Sequence, residues 1–460
     1  MKLINSKLLY LLFPAVVFSS CKKFVATEAP KTELVRSTVF TSDVLVNGAL
    51  SGIYAGMAGS SSYAGGDIQS YTLAGGTSSD ELVRASTSDA FFTNALLPNN
   101  SYIQVYWTNM YQDIYRSNSV LEGLAGSTGV TESLKMQAAG EAKFIRAFSY
   151  FYLVNLFGDV PLVLSTDYRG NALVSRTPKA QVYQQIIADL KDAEANMAVD
   201  YTITKGERIR AIKWTAAALL ARVYLYTGDW ANAASEATSV INNSSLYGLV
   251  APGSVFLKNS TEAIWQFGKT SGNANEALIF PVSTTTPLTA SVRPSVVAMF
   301  DNNDKRKTTW IVSNTFSGTT YYYPAKYKET VQTPVKEYST VLRLAEQYLI
   351  RAEARAQQGL ITGAGSAKSD VDAIRLRAGL AGTAAATKAD MLSAIENERL
   401  FEYFAEWGHR WLDLKRTGRG DAILGPLKPN WASFKLLFPI PQLQIDNDPA
   451  MTGQQNTGYN

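Results

Sequence analysis

Apolar residues recur at intervals of three and four over most of the chain, which places them on one face of an α-helix. From Trp230 onward, for example, apolar residues stand at offsets 0, 3, 4, 7 and 11. Glycine and aspartate follow several of these segments and mark their ends. The pattern predicts helices over residues 43–58, 107–124, 131–157, 178–197, 207–227, 340–359, 368–378 and 388–406, with another that opens at Trp230.

Three parts of the chain, residues 141–157, 214–241 and 342–359, place alanines at tight packing positions with aromatic residues opposite them. The combination resembles tetratricopeptide repeats, without their strict period. Helix pairs of this kind cannot bury their apolar faces alone, so they stack on one another. The predicted fold class is therefore mainly α, with a scaffold of stacked, tetratricopeptide-like helix pairs.

Two long segments depart from the helical pattern. Residues 59–100 are rich in small residues with scattered aromatic rings, and loops of that length are usually functional or disordered. Residues 244–339 lack a helical period but contain the strand-like runs 263–267 and 320–323. We predict an irregular, loop-rich subdomain with short β-strands, inserted between helical regions at 43–243 and 340–460. The tail from Phe434 is rich in proline and asparagine, which is compatible with a strand and a wrapping coil.

The N-terminus resembles an export signal. Basic residues precede an apolar run at residues 8–18, which is shorter than the ~20 residues of a membrane-spanning helix. Ser19, Ser20 and Cys21 follow the run, and Cys21 is the only cysteine of the sequence. A cysteine at the first mature position is typical of a bacterial lipoprotein, in which several acyl chains hold the protein on a membrane. We therefore predict a signal peptide at residues 1–20, lipidation of Cys21 and a tether at 21–42; the alternative is a secreted protein with an incidental cysteine.

Composition excludes several classes of function. The formal net charge is +4, and two of the lysines that contribute to it leave with the signal. The sequence contains no basic stripe of the kind that would indicate a nucleic-acid partner. One histidine and no further cysteine exclude His-rich and thiolate metal sites, and we predict no cofactor. His409 serves no Gly-x-Ser-x-Gly nucleophile motif, so it is interpreted as a helix-end packing residue.

Carboxylates crowd residues 396–413 and raise the question of glycoside cleavage, which needs two of them ~5–10 Å apart. Glu398, Glu402 and Glu406 stand four apart on one helical face instead. Buried ionic networks that fix helix packing are the favoured interpretation. Their predicted partners are Arg399, Arg410 and Arg416.

Aromatic residues outside the helices are candidates for carbohydrate contact, since flat rings stack on the apolar faces of sugars while polar groups orient the hydroxyls. Trp265, in an alternating run, is expected in the core instead. The predicted ligand-binding residues are Tyr71, Asp80, Arg84, Phe91 and Phe92 in the 59–100 loop and Trp310, Tyr321 and Tyr322 in the insertion.

Five segments in order, residues 140–163, 342–359, 371–380, 397–418 and 438–459, resemble the SusD/RagB family of outer-membrane nutrient-binding lipoproteins of Bacteroidetes. Among them, NERLFEYFAEWGHRWLDLKRTG contains the Gly-x-Arg-Trp often found in that family. The resemblance implies four tetratricopeptide-like helix pairs and a ligand-facing subdomain. It also implies capture of an oligosaccharide or other nutrient, without hydrolysis, for a SusC-like TonB-dependent transporter.

One departure bears on location. Lys22 and Lys23 stand where many surface-exported members carry acidic residues, which leaves open the face of the outer membrane to which the protein is anchored. Two other functions remain as alternatives. One is a lipid-anchored glycoside hydrolase in which the Asp80/Glu81 loop supplies a carboxyl group, and the other is a periplasmic assembly scaffold.

Overall fold

The computed structural model describes residues 36–59, 61–66, 70–84, 89–269, 272–280, 290–331 and 333–459. The predicted signal peptide, the predicted lipidation site Cys21 and most of the predicted tether lie outside these ranges. Within the ranges, no helix is both long and apolar enough to cross a membrane.

Helices dominate the described residues and confirm the predicted mainly α class. They are α1 (Arg36–Val39), α2 (Asp43–Met57), α3 (Tyr71–Ser78), α4 (Ser101–Ala125), α5 (Glu132–Phe157), α6 (Tyr168–Asn171), α7 (Lys179–Asn196), α8 (Lys213–Thr227), α9 (Trp230–Ile241), α10 (Glu276–Ile279), α11 (Pro294–Met299), α12 (Lys305–Trp310), α13 (Leu344–Gln357), α14 (Ala367–Arg377), α15 (Lys388–Tyr403), α16 (His409–Arg416), α17 (Gly420–Leu424) and α18 (Gln442–Asn447).

The long helices stack in the order α4, α5, α7, α8, α9, α13, α14 and α15, as expected of tetratricopeptide-like pairs. Buried alanines line α8 and recur in α9 and α13, where their small side chains allow close helix approach. Buried ion pairs connect helices of the stack at 2.6–2.7 Å: Arg146 of α5 with Asp189 of α7, Arg222 of α8 with Glu346 of α13, and Arg351 of α13 with Asp370 of α14. An unpaired buried charge is costly, so these pairs restrict how the helices can slide.

Eight short strands complete the fold of the described residues. They are β1 (Leu82–Arg84), β2 (Val160–Pro161), β3 (Arg176–Thr177), β4 (Ala263–Phe267), β5 (Ala290–Val292), β6 (Ile311–Phe316), β7 (Thr319–Pro324) and β8 (Ser339–Arg343). β4 and β8 pair antiparallel beneath the scaffold, and Trp265 of β4 is fully buried, as expected. β8 also explains why α13 begins at Leu344 instead of residue 340.

Two sequence-based expectations were wrong. The 59–100 segment, predicted as a ligand-facing loop, is not a loop throughout, because it contains α3 and β1, and every residue of α3 is buried. The tail forms no strand over residues 434–459, all of which are described; its helix is α18. Its prolines lack the N–H that a strand ladder needs. Instead of a ladder, the tail makes isolated backbone hydrogen bonds: the Phe438 amide donates to the Leu156 carbonyl and the Gln442 amide to the Pro98 carbonyl, both at 2.8 Å.

Candidate ligand-binding surface

One sheet joins the two regions in which the ligand-binding residues were predicted. The order of its strands is β1-β5-β7-β6, so β1 of the 59–100 segment pairs with the insertion. Leu82 lies opposite Val292, and Val292 lies opposite Tyr322. Residues far apart in the sequence therefore belong to a single sheet.

Asp80 attaches this sheet to the helical scaffold. Its carboxylate accepts hydrogen bonds from Nε and Nη2 of Arg410, at 2.7 and 2.8 Å. Arg410 belongs to the Gly-x-Arg-Trp motif and also reaches Glu396 at 3.1 Å. On the other side, the Arg293 Nε donates to the Asp80 carbonyl at 3.0 Å. The predicted ligand residue Asp80 is thus committed to an internal ion pair.

The neighbouring carboxyl group is also structural. Glu81 is fully buried, and its Oε1 accepts from the Ala405 amide at 3.2 Å. Burial raises the pKa of Glu81 to about 8, so the group is largely protonated at neutral pH. Asp80 bonded to Arg410 and Glu81 enclosed in the core do not form a carboxyl pair that faces a sugar. The arrangement gives no support to the glycosidase alternative based on this loop.

Three of the predicted aromatic contacts are core residues. Tyr71 and Trp310 have no exposed surface, and 5% of Phe91 is exposed. Tyr71 packs edge-on against Tyr152 with ring centroids 5.5 Å apart, and the Trp310 Nε1 donates to the Pro252 carbonyl at 2.9 Å. Burial contradicts their predicted contact with ligand. Tyr71 and Phe91 fill the large apolar core shared with the helices, and Trp310 fills a second apolar core in the insertion.

Four predicted residues remain partly exposed and define what we call the loop face: Arg84, Phe92, Tyr321 and Tyr322. Arg84 lies 3.3 Å from the carboxylate of Asp89. Tyr321 and Tyr322 stand on β7 opposite Asn314 and Ser313 of β6. Successive side chains of a strand point to opposite faces, so Tyr322, which packs against the apolar core, and Tyr321 lie on different sides of β7. The loop face therefore offers aromatic rings and polar groups on both sides of one sheet and on its adjoining segment.

Lys428 holds the Phe92 part of the loop face in place. Its ammonium donates to the carbonyls of Thr77 and Phe92 at 2.7 and 2.8 Å and lies 4.5 Å from the centre of the Phe92 ring. Burial, with a smaller contribution from Arg293, lowers the pKa of Lys428 to about 7. No sequence pattern indicated this residue, because it comes from a distant turn after α17.

The carboxylate-rich segment is structural, as predicted. Glu398, Glu402 and Glu406 are buried, but their partners differ from the predicted arginines. The cations that bond them are Arg306, Arg343, Arg375, Arg377 and Lys326. His409 is buried with its ring 4.4 Å from that of Tyr403, which confirms the packing role. Burial, and then Arg222, lowers the pKa of His409 well below its ordinary value, so its imidazole is neutral.

Sequence reasoning overlooked an aromatic stripe on α4. Trp107, Tyr111 and Tyr115 stand at successive intervals of four, and all three border a cleft of about 500 Å³. Their spacing was visible in the sequence, but such stripes usually face a core. No group of three or more His, Cys, Asp or Glu side chains is placed to hold a metal in the part of the chain that is described.

Comparisons with known proteins agree with this architecture. A family described as "Starch-binding associating with outer membrane" matches residues 25–225, and the SusD family matches residues 263–435. Because these two matches together cover most of the sequence, the chain belongs to the SusD/RagB family.

Relatives match over very different lengths. The SusD-like protein P25 of Formosa agariphila is 24% identical over 533 residues, which cover 96% of this chain and 98% of that protein. The SusD-like protein P2 of the same organism is 38% identical over 152 residues, or 33% of this chain and only 29% of that protein. A solved structure entitled "Laminarin binding SusD-like protein" is 26% identical with a TM-score of 0.76, and covers 91% of this chain and 100% of its own.

Proposed function

We propose that this protein captures oligosaccharides at the outer membrane and delivers them to a SusC-like TonB-dependent transporter, without cleaving them. The observation that carries the proposal is the loop face, where one sheet joins Tyr321 and Tyr322 to the segment of Arg84 and Phe92. Membership of a family described as starch-binding and associated with an outer membrane supports the same conclusion.

The chemistry of the loop face suits a sugar chain. Tyrosine and phenylalanine rings offer flat apolar surfaces, while the Arg84 guanidinium and neighbouring polar side chains can orient hydroxyl groups. A partly exposed surface desolvates a ligand incompletely, and binding is therefore expected to be weak enough for transfer. Laminarin and starch are the first glycans to consider, since they are named for a related structure and for the matching family.

An affinity-gel assay with laminarin and with starch tests the proposal on the soluble chain from Lys22 onward. We expect retardation of the wild type by one of the two, and roughly tenfold weaker binding by Tyr321→Ala/Tyr322→Ala, given ~0.5–1.5 kcal/mol for each aromatic contact. Leu360→Ala, a change at an exposed side chain in the turn after α13, is the matched control and should bind like the wild type. Unchanged binding by the tyrosine variant would refute the loop face as the site.

The anchor and the location are tested in cells. Cys21→Ser should abolish incorporation of labelled palmitate and release the protein from the membrane fraction. External protease should cut the wild type on intact cells if it lies on the surface. Protection in intact cells, with digestion after lysis, would instead favour the periplasmic scaffold. Co-purification of a SusC-like transporter with the lipidated chain tests the proposed partner.

A further inference from the structure

The outer surface of α4 borders three adjoining clefts, of about 500, 310 and 140 Å³. Arg116 lies on all three, and none of their lining residues belongs to the loop face. The largest is closed on its other side by Pro161, Val163 and the tail residue Gln444. The α4 residues on these clefts run from Trp107 to Val120, a distance of about 20 Å at ~1.5 Å per residue. We call this continuous surface the α4 cleft.

Three aromatic rings form one edge of the α4 cleft and become more exposed along it. Trp107 is buried and Tyr111 is half-buried, whereas 53% of Tyr115 is exposed. The rings of Trp107 and Tyr111 lie 5.0 Å apart. Both are fixed by hydrogen bonds, from the Trp107 Nε1 to Gln444 at 3.1 Å and from the Tyr111 hydroxyl to the Pro161 carbonyl at 2.8 Å. This edge of the cleft is therefore held in place by hydrogen bonds at Trp107 and Tyr111 and ends in the exposed ring of Tyr115.

Polar side chains form a second edge of the cleft, which runs beside the aromatic one because each polar residue directly follows an aromatic residue of α4. Gln112 and Arg116 are exposed, and the Arg116 Nη1 lies 3.3 Å from Asp113. A side chain on Gly56 would come within 3.0 Å of the same Nη1, so α2 leaves room for the guanidinium. In addition, Asp113 Oδ2 and Asn109 Oδ1 are buried without a hydrogen-bond partner among the described residues, and both residues line the smallest cleft.

A buried oxygen without a partner is destabilising unless a ligand or a water supplies the missing donor. Hydroxyl groups are such donors. The Tyr115 ring, the Gln112 amide and the Arg116 guanidinium lie on one helix face, and the unpartnered acceptors lie beyond Arg116 on the smallest cleft. This arrangement suits a molecule with apolar ring faces and many hydroxyls. A purely apolar peptide would leave these polar groups unpaired and desolvated.

We propose that the α4 cleft is a second carbohydrate-binding site, which holds a pyranose against Tyr115 with its hydroxyls directed to Gln112 and Arg116. The inference rests on the proposed glycan-binding function and adds a site separate from the loop face. Two sites on one molecule would let a long chain be held at one while the other releases it, which raises overall avidity without tighter individual contacts.

Calorimetric titration with laminarihexaose and with maltohexaose tests the proposal. Gln112→Ala/Tyr115→Ala alters only exposed side chains, so the fold should be retained. For this variant we expect either a roughly tenfold weaker affinity at one of two sites or a stoichiometry that falls from two sites to one. Tyr321→Ala/Tyr322→Ala should keep the α4 site. Leu360→Ala, whose side chain is also 53% exposed, is the control.

Crystals soaked in the same hexasaccharides locate the site directly, in a lattice that leaves α4 open. Sugar density over Tyr115 supports the proposal. An empty α4 cleft beside an occupied loop face, or unchanged affinity and stoichiometry in Gln112→Ala/Tyr115→Ala, overturns the second site and leaves the proposed function intact. If neither sugar binds the wild type at either face, the proposed function fails and the second site fails with it.

Discussion

Replacement of Asp80 by asparagine tests whether this carboxylate is an internal ion-pair partner or a group that acts on a ligand. The substitution keeps the shape of the side chain but removes the charge that faces Arg410. The guanidinium is buried and makes two of its hydrogen bonds to Asp80, at 2.7 and 2.8 Å. After the change, its remaining anionic partner is Glu396 at 3.1 Å.

The expected cost follows from that geometry. Removal of one partner from a buried ion pair costs about 3–5 kcal/mol, because the other charge remains desolvated. Glu396 still compensates part of the Arg410 charge, so we expect the low end, about 3 kcal/mol. With a urea m-value of about 3 kcal/mol per M, the unfolding midpoint should fall by about 1 M.

Urea unfolding followed by far-ultraviolet circular dichroism measures this shift. Asp372→Asn is a matched control, since Asp372 pairs with Lys368 at 3.0 Å on the partly exposed side of α14, and such helical pairs contribute about 0.3–0.5 kcal/mol. A midpoint for Asp80→Asn equal to that of the wild type, combined with lost turnover of a glycan, would refute the structural role and revive the glycosidase alternative.

Three further changes follow from the buried groups near the loop face. Trp310→Ala should destabilise the protein by about 3–5 kcal/mol in urea unfolding, because it empties a core site and leaves the Pro252 carbonyl without its donor, whereas Trp310→Phe should lose less. A stable Trp310→Ala protein with impaired glycan binding would contradict this. Burial raises the pKa of Glu81 from 4.5 to about 8, so its contribution to stability is fully present below pH 4.5 and lost as pH rises through 8. Glu81→Gln should flatten that fall, and a slope equal to the wild type would exclude Glu81 as its source. Burial lowers the pKa of Lys428 from 10.5 to about 7, so the unfolded state binds more protons between these values and stability rises with pH there. Lys428→Met should remove that rise, which is checked by thermal unfolding at pH 7, 8 and 9.

The scaffold was predictable from sequence because its helices are amphipathic. α2, α5, α7 and α14 begin and end within one or two residues of the predicted bounds. In contrast, α3 was missed because all its residues are buried, and a helix without a polar face has no periodic contrast. β8 was absorbed into a predicted helix, since its ladder partner β4 lies about 75 residues earlier, and no local pattern reports such a pairing.

The site was harder to predict than the fold. Whether a loop ring is exposed depends on partners elsewhere in the chain: Phe91 is covered by Phe438, and Tyr71 is covered by Tyr152. The same limit explains why the predicted arginines pair with Asp413 and Glu396 of the same segment and not with Glu398, Glu402 or Glu406. Arg399 was chosen for its proximity in sequence, but consecutive helical residues point in different directions, and Arg306 reaches Glu398 from another segment at 2.7 Å.

The pairing of β1 with β5 has a consequence for how relatives could diverge or be recombined. A chimaera joined near residue 243 would separate Leu82 from Val292 and Asp80 from Arg410, and the tail would lose its attachment to Leu156. Neither half could then complete its own interior. Exchange of sugar preference between members is therefore expected to proceed by replacement of surface side chains or whole genes, since a crossover in the middle would demand compensating changes along this entire seam.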